Sequence, residues 1–118
     1  MIIMMKMLIQ LDEERIKADD EYDLQEMWQA IDELFEDVKC IKEVQPDGSV
    51  MYSGNPKRDN YLADFGYVYL SLKNWDFFAQ YCSKWIWYEN EEDELSFSDE
   101  DLLAKLRVKN PMFAKYAR

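Results

Sequence analysis

Apolar and polar residues alternate from residue 2 to residue 11. One face of this stretch is formed by Ile3, Met5, Met7, Ile9 and Leu11, and the other by Met4, Lys6, Leu8 and Gln10. A period of two predicts a β-strand, and the partly apolar second face is typical of a strand in the middle of a sheet. Residues 12–20 are mainly charged apart from Ile16, so we expect an acidic loop with room for one helical turn.

The clearest helix begins after Asp23. Glu26 follows three residues later, which matches an N-terminal capping arrangement. Apolar residues then recur with helical spacing at Leu24, Met27, Trp28, Ile31, Leu34, Phe35 and Val38. We expect this face, including Trp28 and Phe35, to be buried against the sheet. The opposite face is an acidic stripe of Glu26, Gln29, Glu33, Glu36 and Asp37.

A β-hairpin is predicted for residues 40–53. Its strands, 40–45 and 50–53, flank the turn sequence Pro46-Asp47-Gly48-Ser49. Proline presets φ for a turn and glycine accepts a positive φ. Residues 54–60 form a polar loop.

The aromatic residues concentrate in residues 65–88, which contain ten of the 18 in the chain. Within this stretch, residues 67–73 alternate and predict a strand. A helix is the rival interpretation, because Leu62, Phe65, Tyr69 and Leu72 also fit a period of 3.6.

Residues 75–88 predict a helix with Asn74 as its N-cap. The helical interpretation puts Trp87 on the side away from Trp85, where it could anchor a partner. The alternative is a short helix that ends near Ser83, followed by a strand over residues 84–88.

The remaining chain predicts one more helix. Residues 89–94 (ENEEDE) must lie in water, and Ser98 with Asp101 forms a second capping arrangement. Leu102, Leu103 and Leu106 follow as packing residues, and Pro111 ends the helix. We expect Met112, Phe113 and Tyr116 to fold back as a short apolar patch.

Together these elements predict a single α+β domain over residues 1–118. Its antiparallel or mixed sheet has three to five strands, with about three helices packed mainly on one side. The apolar start is interrupted by Lys6 and lacks a cleavage site, and no stretch is long enough for a membrane span. We therefore expect a cytoplasmic protein in which Cys40 and Cys82 are free thiols in apolar surroundings.

Composition excludes several chemistries. The absence of histidine removes the commonest general base and most zinc sites. The three glycines have no phosphate-loop spacing, and Leu95 occupies the glycine position that a calcium loop starting at Asn90 requires. With 25 acidic residues, neighbouring carboxylates have no diagnostic value. We expect no catalytic, cofactor-binding or metal-binding residues.

The net charge of −11 disfavours nucleic acids and anionic membranes, and it favours a basic protein as partner. The candidate partner-binding residues are Glu26, Glu33, Asp37, Trp87, Tyr88, Glu91, Glu92, Asp93 and Glu94.

Three segments, LIQLDEERI, YDLQEMWQAIDELF and DFGYVYLSLKNWDFFAQYCSKWIWYE, resemble short acidic proteins of mobile elements in gut Firmicutes. The resemblance implies a cytoplasmic bacterial accessory protein and no catalytic or binding residue. The leading hypothesis is a non-enzymatic acidic module that binds a basic protein. A sharper version is a decoy that imitates nucleic-acid charge and occupies a nucleic-acid-binding protein. The alternative is an enzyme or small-ligand binder with a pocket of carboxylates and aromatics. An enclosed cavity would favour the alternative, and a flat acidic face the module.

Overall fold

The computed structural model describes residues 4–90 and 98–117. Its elements, in chain order, are β1 (Met4–Leu11), α1 (Glu13–Asp19), α2 (Leu24–Asp37), β2 (Ile41–Val44), β3 (Val50–Ser53), α3 (Tyr61–Lys73), α4 (Asp76–Tyr81), β4 (Cys82–Asn90), β5 (Ser98–Asp101), α5 (Leu102–Lys109) and α6 (Pro111–Lys115). The strands form one antiparallel sheet in the order β2-β3-β1-β4-β5. The α+β prediction is confirmed, with six helices in the described residues rather than about three.

Strand β1 lies at the centre of the sheet, as its pattern predicts. Ile9 pairs with Val50 of β3 on one side and with Trp85 of β4 on the other. The side chains on this face of β1, from Met5 to Leu11, are buried in the core. The alternate face is only partly covered, because Met4, Lys6 and Gln10 keep intermediate exposure.

The core lies between this face of the sheet and the helices. Each described helix contributes to it: Ile16, Phe35, Phe65, Phe78, Leu103 and Phe113 come from α1 to α6 in turn. Since all six belong to one cluster, the helices pack on the same side of the sheet. Aromatic pairs join the layers, with Phe78 at 4.9 Å and Phe113 at 6.1 Å from the Trp85 ring.

Helix α1 corrects the prediction of a loop at residues 12–20. The Asp12 carboxylate accepts a hydrogen bond from the Arg15 N–H, which caps the helix. Ile16 is 1% exposed, so this one apolar residue packs the helix against the core. Asp20 closes the helix with a left-handed φ of 50°.

Helix α2 and the β2–β3 hairpin follow their predictions. Asp23 caps α2 by accepting a hydrogen bond from the Glu26 N–H at 3.0 Å, and Gly48 takes a φ of +87° in the turn. Phe35 is buried as expected. The expectation for Trp28 is wrong, because its side chain is only partly buried at the edge of the core.

The preferred strand at residues 67–73 is wrong, and the helical interpretation is correct. Helix α3 is capped by Asn60, whose side chain accepts from the Ala63 N–H. Val68 and Leu72 are fully buried, whereas Tyr67 and Leu70 are 46% and 55% exposed. The apolar residues on the exposed side produce the alternation that imitates a strand.

The segment after α3 also follows the alternative interpretation. Asn74 is the C-cap of α3, and its side chain donates to the Leu70 carbonyl at 2.7 Å instead of capping the next helix. Helix α4 ends at Tyr81, and Cys82 begins strand β4. A single helix over residues 75–88 is therefore wrong.

The C-terminal segment differs from its prediction in two places. Ser98 lies in edge strand β5, and Asp101 caps α5 by accepting from the Ala104 N–H at 3.0 Å. Pro111 ends α5 and is also the first residue of α6. The apolar patch folds back as expected, with Phe113 fully buried. The predicted acidic positions 91–94 lie outside the described residues.

Candidate binding surfaces

The predicted acidic residues of α2 share one exposed surface. We define the acidic face of α2 as Glu26, Glu33, Glu36 and Asp37, all of which are exposed. Neighbours orient part of it: Gln29 donates to Glu33 at 3.4 Å, and the Tyr67 hydroxyl donates to Asp37 at 3.1 Å. The hydrogen bond to Asp37 raises the pKa of Tyr67, so this phenol remains a donor at neutral pH.

A groove of about 360 Å³ runs along this helix. We call it the α2 groove; it is lined by Gln25, Trp28, Gln29, Asp32, Glu33 and Glu36. Trp28, Asp32 and Glu36 follow at intervals of four residues, so they form one row along the helix surface. The groove therefore combines a partly buried aromatic side chain with three carboxylates.

Asp32 at the base of the groove is already engaged. Its carboxylate accepts a hydrogen bond from the buried Tyr52 hydroxyl at 2.5 Å and pairs with the Lys42 ammonium at 2.8 Å. The pKa of Tyr52 is raised well above its ordinary value, mainly by burial and next by the hydrogen bond to Asp32. Because Asp32 is committed to these contacts, Glu33 and Glu36 are the exposed carboxylates of the groove.

Trp87 lies in a second pocket, on the β4–β5 ladder. Since β4 is a strand, Trp87 is on the same face as Trp85 and not on the opposite side. Its ring lies 6.0 Å from Phe65 and 6.2 Å from Tyr69, so helix α3 covers much of it. The Trp87 pocket, of about 200 Å³, is completed by Glu89, Asp99 and Glu100.

The structure separates two residues that the sequence grouped. Tyr88 points to the other face of the sheet, where it pairs across the strands with Lys6 and Asp99. Trp87 and Tyr88 therefore cannot contact one partner as a continuous patch. Glu91, Glu92, Asp93 and Glu94 stay predictions, because they lie outside the described residues.

Both cysteines are poor nucleophiles at neutral pH. Burial, with a contribution from Asp64, raises the pKa of the Cys40 thiol to about 12. Cys82 is fully buried, and burial raises its pKa further. Reactive cysteines require a lowered pKa. Within residues 4–90 and 98–117, no cluster of three or more cysteines or carboxylates could hold a metal ion.

The sequence predicts that Trp28 is buried in the core, so it does not identify this residue as part of a binding surface. Trp28 belongs to the apolar series of α2, and the helical spacing of that series predicts a buried side chain. The signal that distinguishes it is its position at the margin of that series, four residues before Asp32 and eight before Glu36. A large aromatic side chain at the boundary between apolar and acidic rows can face both.

Comparisons with protein-family models, curated proteins and solved structures give no match for this chain. Within the part of the chain that the structure describes, no helix has the length and apolar character that crossing a membrane requires.

Proposed function

We propose that this protein is a non-enzymatic acidic module that binds a basic protein through the acidic face of α2. The observation that supports the proposal is the α2 groove, which Trp28, Glu33 and Glu36 line together. A lysine or arginine side chain could contact the indole through a cation–π interaction and donate to the carboxylates. The groove thus supplies both charge and an aromatic anchor.

The shape of this surface favours a macromolecule over a small ligand. All six lining residues come from one helix, so the groove has no opposite wall to enclose a small molecule. Ligand pockets usually bury most of the surface of what they bind. The finer version of the proposal is a decoy, in which the row of carboxylates imitates nucleic-acid charge for a nucleic-acid-binding protein.

The alternative function is a small-ligand binder, and the Trp87 pocket is the observation that favours it. Trp87 and three carboxylates line this pocket of about 200 Å³. This chemistry suits an ammonium or guanidinium compound. The pocket is smaller than the α2 groove, and Glu100 already pairs with Lys105 at 2.7 Å.

The proposal is tested with the partner captured from host lysate at about 50 mM salt and then purified. Association and dissociation rates are measured with Glu33→Lys/Glu36→Lys and with Trp28→Ala. Charge steering falls with ionic strength, so the double reversal should slow association about tenfold or more at low salt. Trp28→Ala should speed dissociation. The matched control is Glu14→Lys/Asp59→Lys, which reverses two exposed acids, one on α1 and one in the loop before α3.

The proposal fails if the control slows association as much as the groove variant, because general charge would then explain binding. It also fails if the partner binds equally well at about 50 and 500 mM salt and neither variant changes the association or dissociation rate. Loss of partner binding only on Glu89→Gln or Asp99→Asn would move the binding site to the Trp87 pocket and overturn the proposal for the α2 groove.

A further inference from the structure

A third cavity has the opposite chemistry. This arginine pocket, of about 190 Å³, is lined by Asp12, Arg15, Gln80, Tyr81, Cys82, Ser83 and Arg107. Its wall therefore combines two guanidinium groups from α1 and α5 with the junction between α4 and β4. Two arginines on separate elements meet at one cavity although the chain has a net charge of −11.

Arg15 is held in place by neutral groups. Its Nη1 donates to the Gln80 carbonyl at 3.2 Å, and its Cζ lies 5.5 Å from the centre of the Tyr81 ring. The Tyr81 hydroxyl in turn donates to Asp19 at 2.8 Å. These contacts orient the guanidinium without using a carboxylate to neutralise it.

Arg107 is held in a similar way. Its Nη2 donates to the Cys82 carbonyl at 3.4 Å. Its Nε is shielded from solvent and has no hydrogen-bond partner among the described residues. A shielded N–H of a charged group without an acceptor is costly. Neither Arg15 nor Arg107 belongs to the four ion pairs within 4.0 Å that the described residues form.

A backbone irregularity brings Ser83 to the same cavity. Gln10 pairs with Lys84 and Leu11 pairs with Cys82, so Ser83 has no partner residue on β1. An extra residue of this kind is a β-bulge, a feature that commonly re-aims a side chain beside a binding site. Ser83 is exposed, and its hydroxyl donates to the Gln10 carbonyl at 3.2 Å.

We propose that the arginine pocket binds an oxyanion, of which a phosphate group is the class that best matches two guanidinium forks. Arginine pairs with phosphate oxygens through parallel N–H donors. Each guanidinium has five N–H donors, of which the contacts to the Gln80 and Cys82 carbonyls use one apiece. The site is independent of the acidic face of α2. The Asp12 carboxylate lines the same pocket and opposes an anion, although it is engaged as the cap of α1.

The test is a titration of the ¹⁵N-labelled protein with inorganic phosphate at constant ionic strength, with acetate and glycerol phosphate in parallel. Phosphate should give saturable shifts at the amides of residues 12–15, 80–84 and 107. Tighter binding of glycerol phosphate would identify a phosphate monoester as the ligand, and tighter binding of inorganic phosphate the free anion. Equal, non-saturating shifts with all three compounds would overturn the proposal.

Three variants test the roles of the lining residues. Arg107→Gln should weaken phosphate binding about tenfold or more, since it removes a charge-assisted contact. Arg107→Lys keeps the positive charge but loses the parallel N–H donors of the guanidinium. This variant should also bind phosphate more weakly. Asp12→Asn keeps an N-cap side chain while it removes the opposing charge, so this variant should bind phosphate more tightly.

Lys57→Gln is the matched control, because it removes one positive charge from an exposed residue outside the pocket. It should leave phosphate binding unchanged. An equal loss in Lys57→Gln and Arg107→Gln would overturn the site, as would weaker binding by Asp12→Asn. Should Arg107→Gln not fold, Asp12→Asn and Arg107→Lys keep the test decisive, since their expected effects have opposite signs.

Discussion

Phe35 and Tyr52 join the helix layer to the sheet. Their rings are stacked at 3.7 Å and 4° between planes, and both residues are 1% exposed. The Tyr52 hydroxyl extends beyond the stack to Asp32. One aromatic pair therefore links the core to the base of the α2 groove, so packing and the candidate surface depend on the same side chains.

Truncation of Phe35 should be among the most damaging substitutions. Phe35→Ala is expected to lower the free energy of unfolding by about 3–5 kcal/mol, because it removes a buried ring and leaves a cavity. Urea denaturation measures the loss. Val108→Ala is the control, since Val108 is 82% exposed and should change stability by less than about 0.5 kcal/mol. A loss below about 1 kcal/mol for Phe35→Ala would contradict this packing.

The Cys40 thiol should make stability fall at alkaline pH. Its pKa is about 12 in the folded protein against an ordinary value of 9.0. Between these values the unfolded chain loses a proton that the folded protein keeps, so the contribution is complete below pH 9 and is lost as the pH rises toward 12.

Urea midpoints measured from about pH 8 to 11 should therefore fall more steeply for the wild type than for Cys40→Ala. Cys82, whose pKa is also raised, affects both proteins equally. The pKa of Tyr52 is raised mainly by burial and the bond to Asp32, with Cys40 a smaller cause, so most of its effect is shared by the two proteins. If the urea midpoints of the two proteins fell in parallel with pH, the pKa of Cys40 would not be raised in the folded protein.

Trp28 and Trp87 show which aspects of side-chain burial a local sequence pattern can predict. The side of α2 that is buried follows directly from its apolar period, but the extent of burial does not. Trp28 lies at the margin of the core, and Trp87 is covered by α3. Both outcomes depend on neighbours distant in sequence, which a local period does not contain.

At the scale of elements, the sequence predicts the secondary structure correctly where the two faces of an element differ in polarity. It fails where both faces carry apolar residues. Helix α2 separates apolar from acidic residues, and it was assigned correctly. Helix α3 exposes Tyr67 and Leu70 opposite its buried face, so both periods fit its sequence. The boundary at Cys82 lacks a glycine or proline, the residues that usually mark such a change.

Strand β5 was missed because three of its four residues are acidic, and acids are depleted in strands. Its position at the edge of the sheet accounts for them, since charge discourages pairing with another chain. Asp101 then serves a second purpose as the cap of α5.

Asp101→Ala should cost about 1 kcal/mol of stability, whereas Asp101→Asn should be nearly neutral because asparagine is an equally good N-cap. Chemical denaturation of both variants tests this assignment. Equal losses would indicate that the charge of Asp101, rather than the cap, stabilises this end of α5.

At the scale of the whole molecule, repulsion among like charges is the dominant electrostatic feature. The net charge is −11, and the four described ion pairs are at least partly exposed. Exposed pairs usually contribute between about 0 and 1 kcal/mol each. Self-repulsion should therefore outweigh the attraction within these pairs.

The free energy of unfolding should accordingly rise as sodium chloride increases from about 0.01 to 0.15 M, where the Debye length falls from about 30 to 8 Å. Thermal unfolding at several salt concentrations measures this. Glu26→Gln should reduce the salt dependence, and Gln25→Ala, on the same helix, should not. A stability that falls with salt would mean that the ion pairs dominate.

The central position of β1 has a consequence for biosynthesis. Its neighbour β3 is made about 40 residues later, whereas Leu11 must wait for Cys82, roughly 70 residues further along the chain. At 5–20 residues per second, this delay is roughly 4–14 s. During that time the side of β1 that pairs with β4 in the native sheet has no native partner in the nascent chain, so it is open to pairing with another strand.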